Sequence, residues 1–141
     1  VSVPNQSLDY NNIVASCNTK EQCGIKRGSK PLPLTPFMQE CETELKFYIS
    51  GNVKGLSERA QNTLEILNLA NKKLWEARKR LFDSLIFKRY GRSVEGLELF
   101  EDEELLKLSM AMLERTDNGK LSPFAPVFVN IMRNWLKNKG Q

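Results

Sequence analysis

From Glu58 to Tyr90 the chain contains neither glycine nor proline. Those are the two residues that most disfavour a helix interior, by about 1 and 3 kcal/mol relative to alanine. A run of about 33 residues without them predicts a helix about 50 Å long at 1.5 Å per residue. Ser57 stands before it as an N-cap, and Gly91 follows it as a C-terminal cap. Leu67, Leu74, Leu81 and Leu85 fall within about 40° of one another at 100° per residue, which makes them the expected inner seam. Inside the run, the stretch Asn68–Asn71 is where a break would fall.

Shorter helical signals flank this one. Thr35 and Pro36 read as an N-cap and a first helical residue. Phe37, Cys41, Leu45, Tyr48 and Ile49 then recur on one face as far as Gly51. Beyond a hinge at Gly91–Gly96, a third helix is expected from Glu101 to Arg115, with Leu105, Leu108 and Met112 inward and Leu106, Met110 and Leu113 beside them. Asp117-Asn118-Gly119 stops it. A fourth opens at Ser122-Pro123 or Ala125-Pro126 and carries Phe124 or Phe128, Ile131 and Trp135. No alternating run is long enough to predict a sheet. The expected fold is therefore all-α: a helical bundle of about four helices around one long basic helix, over residues 35–141. Residues 1–34, rich in Ser, Asn, Gly and Pro and ending in Pro31-Leu32-Pro33-Leu34, read as an irregular arm or linker.

There is no histidine in the sequence. That removes Ser-His and Cys-His nucleophilic pairs and the commonest general base near neutral pH. Cys17 and Cys23 are spaced too widely for a zinc pair, and Cys41 stands far off. The segment Gly24–Lys30 lacks the spacing of a phosphate-binding loop and has no strand before it. If Gly119 is the sixth residue of a calcium loop, the twelfth is Ala125, where a bidentate glutamate is required. Glu95, Glu98, Glu101, Asp102, Glu103 and Glu104 suit the first turn of a helix and a solvated face better than a metal cluster; they are also a surface on which a basic neighbour, or another copy of the chain, could dock. No catalytic, metal or cofactor site is expected, and no enzyme.

The formal charge is +4, but it is unevenly spread. Residues 57–92 hold nine basic and four acidic groups, and residues 93–141 six basic and eight acidic. The basic share concentrates in Lys72, Lys73, Arg78, Lys79, Arg80, Lys88, Arg89 and Arg92. Lys72, Lys73, Lys79 and Arg80 share the side of the long helix opposite the leucine seam. Arg78 and Arg89 lie at its flank, near Trp75 and Phe82. Cations neutralise phosphates and an adjacent ring offers a base a stacking surface, as a groove for RNA or single-stranded DNA requires. The expected site is Lys72, Lys73, Trp75, Arg78, Lys79, Arg80, Lys88, Arg89 and Arg92, binding the backbone without reading sequence. Tyr90, Arg133, Lys137 and Lys139 extend that surface if the last helix packs alongside. Trp75 decides between readings: exposed among Lys72, Arg78 and Lys79 it favours nucleic-acid binding, and buried under the first or last helix it loses the stacking platform and makes a protein–protein adaptor equally expected.

In size, helicity and basic face the chain resembles the small helical subunit of CRISPR surveillance complexes. The resemblance covers residues 35–141 and rests on no shared motif. It implies a bundle that lines up in several copies within a larger ribonucleoprotein assembly and supports guide RNA or DNA strands. Two other readings fit the same sequence. One is a protein–protein adaptor anchored by Trp75 or Trp135. The other is a helical accessory domain of a replication protein. The odd number of cysteines favours a reducing compartment. No apolar run approaches the roughly 20 residues needed to span a bilayer, so a cytoplasmic protein without a membrane partner is expected.

Overall fold

The computed structural model describes residue 14, residues 16–91 and residues 101–139. The fold is mostly helical with a small two-stranded sheet. In chain order the elements are α1 (Cys23–Arg27), α2 (Cys41–Glu44), β1 (Leu45–Phe47), β2 (Val53–Gly55), α3 (Glu58–Leu67), α4 (Lys72–Tyr90), α5 (Asp102–Leu113) and α6 (Ala125–Lys139). The chain divides into two compact units. One takes in Val1–Leu45 and Val53–Lys72, the other Lys46–Asn52 and Lys73–Gln141.

The first unit is organised on α3. Ser57 caps it as expected, its hydroxyl accepting from the Ala60 amide at 3.2 Å. Asn68 closes it in the left-handed region at φ 51°, and the Leu69 amide reaches back to the Leu64 carbonyl at 3.0 Å. That C-terminal cap separates α3 from α4, so the expected long helix is broken at Asn68–Asn71. Ala60, Thr63 and Leu64 are buried on α3 together with Leu34 and Val53. Leu34 is 1% exposed and its amide donates to Thr63 Oγ1 at 3.0 Å. The segment read as a coreless arm therefore supplies one of this unit's core residues, and carries the short helix α1.

The helix expected from Thr35 to Gly51 does not form. Successive short turns lead to the single turn α2, and the chain then extends into β1 and pairs with β2. The expectation of no sheet is corrected with it. Lys46-Phe47-Tyr48-Ile49 is rich in residues that favour strands. Gly51 is not a helix cap; it turns the chain at φ 88°. A four-residue apolar spacing fits a helix, but Phe37 and Tyr48, two of its members, are exposed.

The second unit has the main core. Phe82 and Ile86 from α4 meet Leu105, Leu108 and Met112 from α5, and Phe128, Val129, Ile131 and Met132 from α6. The Phe82 and Phe128 rings lie 4.9 Å apart. Glu101 and Glu104 form a reciprocal capping box at the start of α5, with the Glu101 amide donating to Glu104 Oε2 at 3.1 Å. These two members of the acidic run thus serve a helix terminus. Asn130 Oδ1 accepts from the Phe47 amide at 3.0 Å and from Asn134 Nδ2 at 3.0 Å. The buried line of α4 is Arg78, Phe82 and Ile86. Leu74, Leu81 and Leu85 of the expected seam lie beside it on α4 and are only half-buried, while Leu67 falls on α3. Among the described residues no helix is long and apolar enough to cross a membrane.

Candidate nucleic-acid interface

Helix α4 presents the candidate site, and burial sorts its cations into two groups. Lys72, Lys73, Lys79, Arg80 and Lys88 are exposed. Lys79 Nζ pairs with Asp83 Oδ2 one turn on, at 2.8 Å, so part of its charge is already answered. Arg78 belongs to the other group. It is 5% exposed, its Nε donates to the Gly51 carbonyl at 2.7 Å, and its guanidinium lies 5.6 Å from the centre of the Phe47 ring. Burial pushes its pKa below the ordinary arginine value. Arg78, expected among the exposed cations, is instead buried and held by the Gly51 turn.

Trp75 is half-buried, and its indole N–H donates to the Ser50 carbonyl. The turn at Gly51 makes this approach close. A Cβ there would run into the Trp75 carbonyl and come within 3.0 Å of the Lys79 amide nitrogen, so only glycine fits. The ring is fixed against the turn instead of standing open among the cations. Phe82, its expected companion, is core at 3% exposure. Tyr90 is half-buried and donates to the Glu104 carbonyl at 3.3 Å. The side chain of Arg89, and the whole of Arg92, lie outside the described residues.

The aromatic side chain that does face solvent on α4 is Phe87, 65% exposed. Lys73, Arg80 and Phe87 recur every seven residues, which places them on one line along the outward side of the helix, about 21 Å from end to end. Lys88 follows next in the chain, also exposed. Phe87 is an exposed ring that the sequence reading does not single out. Its position opposite the buried line was available from helical geometry, but the leucine seam, set one residue off the true inner line, drew attention to Trp75 and Phe82.

A second exposed feature lies on α5. Leu106, Met110 and Leu113 are all exposed and repeat at four and three residues, so they form an apolar stripe. Among the described residues no group of three or more His, Cys, Asp or Glu side chains is placed to hold a metal ion. Comparison with protein families, with curated proteins and with solved structures gives no match.

Proposed function

We propose that the chain binds single-stranded RNA or DNA by its backbone, without reading sequence, as a non-catalytic part of a larger ribonucleoprotein assembly. The observation that carries this reading is the outward line of α4, where Lys73 and Arg80 lead to the exposed ring of Phe87 with Lys88 beside it. Lysine and arginine neutralise phosphates at whatever base they meet. A phenylalanine face stacks on any base and contributes about 1–3 kcal/mol. Cations on a surface helix are commonplace; the large apolar ring among them is what favours a nucleic acid over solvent. The guide-RNA or DNA-strand setting implied by the resemblance to CRISPR small subunits is part of this proposal, although the fold is not a clear four-helix bundle.

The test is fluorescence-anisotropy titration of labelled single-stranded RNA and DNA with the full chain. The charge reversal Lys73→Glu, Arg80→Glu, Lys88→Glu abolishes micromolar binding on this account. Phe87→Ala weakens it about tenfold while leaving its salt dependence unchanged. Absence of binding by the wild-type chain at low salt overturns the reading. The α5 stripe of Leu106, Met110 and Leu113 favours the second reading, an adaptor that docks a protein partner; its prediction is that binding of such a partner fails when these residues are made polar.

A further inference from the structure

Cys17 and Cys23 bracket a short loop at the entry to α1. The loop is closed on itself, with the Gly24 amide donating to Ser16 Oγ at 2.9 Å and Gln22 Nε2 donating to Cys17 Sγ at 3.3 Å. It is also tied to the end of α3. Asn68 Nδ2 donates to the Glu21 carbonyl at 2.6 Å, and Asn71 Nδ2 to Gln22 Oε1 at 3.3 Å. Within this frame the Ser16–Gly24 and Cys17–Gln22 contacts draw the two ends of the loop together, and with them the two cysteines. Cys23 sits at φ 53°, a conformation that a side-chain-bearing residue keeps only when its surroundings impose it. Both cysteines are free; Cys17 is exposed and Cys23 partly buried.

Two sulfurs are too few for a structural zinc site, which takes four ligands. They are sufficient for dithiol chemistry. We propose that Cys17 and Cys23 form a dithiol site at which a low-molecular-weight disulfide, such as oxidised glutathione, oxidises the pair to an intramolecular disulfide. In the first step the Cys17 thiolate attacks one sulfur of the small disulfide. A bond forms between them, and the other half leaves as a thiolate and takes up a proton. In the second step Cys23 loses its proton to solvent and attacks Cys17 Sγ. The mixed disulfide breaks and the second small thiol departs. The protein gives up two electrons and two protons, and one small disulfide becomes two thiols.

The environments suit that order. The hydrogen bond from Cys23, and then that from Gln22, lower the Cys17 pKa to about 7, so about half of it is thiolate at neutral pH. Burial, together with the neighbouring Cys17 charge, pushes Cys23 up to about 11. Cys23 therefore keeps its proton while Cys17 is charged, and one of the causes that hold it there is removed once that charge has been consumed. Cys41 provides an internal control: burial and the nearby Glu42 and Glu44 raise its pKa. This inference is independent of nucleic-acid binding.

The experiment treats the full chain with oxidised glutathione at pH 7 and follows intact mass and residual thiols. Wild type and Cys41→Ser are both expected to lose two hydrogens, with no lasting adduct on Cys17 or Cys23. Cys23→Ser is expected to stop with one glutathione on Cys17, and the pH midpoint of its reaction to move up from about 7. In the wild type, which needs no variant to fold, Cys17 is expected to be consumed several-fold faster than Cys41. A stable glutathione adduct on Cys17 of the wild type, or equal rates for Cys17 and Cys41, overturns the proposal.

Discussion

On α4 an arginine is buried and a phenylalanine is exposed, the reverse of what their side chains ordinarily favour. Arg78 is accommodated because the Gly51 carbonyl meets its Nε and the Phe47 ring lies under its guanidinium. A buried charge that keeps such contacts is costly to truncate, since the hydrogen bond to a charged group contributes about 1.5–3 kcal/mol. Arg78→Ala is therefore expected to destabilise the fold by about 2–3 kcal/mol, read as a lower urea midpoint. In buffer where the variant remains folded, its affinity for single strands should match wild type. A fall in affinity with unchanged stability would return Arg78 to the phosphate-binding surface. Phe87 follows the opposite logic. It gives up about 2 kcal/mol of burial by facing water, so replacing it should leave stability intact and change only binding.

The elements show where local signals sufficed and where they did not. Ser57, Gly91 and the acids at Glu101–Glu104 are terminus chemistry, and each marks a helix end close to where the sequence places it. The break at Asn68 was legible because asparagine tolerates the left-handed conformation and glycine was not needed. The helix expected from Thr35 to Gly51 failed for a different reason. Its apolar spacing was real, but its second half pairs as a strand, which no short-range pattern announces. The same segment holds a pH-sensitive tie. Glu44 accepts from Ser57 Oγ and is gripped by Arg59, whose Nε lies 2.9 Å from Oε2. Arg59, and then Ser57, hold its carboxyl at about 2, below the ordinary value of 4.5. The folded state thus binds that proton more weakly than the unfolded state. The stabilisation is fully present above about pH 4.5 and drains away as pH falls towards 2. Thermal melts at pH 5 and pH 3 should show a loss that Glu44→Gln does not share. An equal loss in both proteins would remove Glu44 from the acid response.

At the scale of the whole molecule, the mostly helical class and the uneven charge were readable from the sequence. The composition of the proposed binding face was read only in part. Lys73, Arg80 and Lys88 are exposed as expected, whereas Arg78 and Trp75 are taken up by the turn at Ser50–Gly51. Helical periodicity gives the angle of a residue about its axis, and so set Arg78 at the flank of the seam and Arg80 opposite it, but it does not give which neighbour covers Arg78. Among the described residues α4 offers Lys72, Lys73, Arg80 and Lys88 as exposed cations besides Lys79, which pairs with Asp83, so the proposed reading has three or four phosphates neutralised there. Each contributes about −0.7 to the slope of log K against log salt on a single strand. The central claim is tested most directly by measuring that slope for wild type and for Lys73→Glu, Arg80→Glu, Lys88→Glu. The account predicts a wild-type slope of about −2 to −3, with binding lost in the variant. A wild-type slope near zero, or a variant that binds with wild-type affinity and slope, would contradict it.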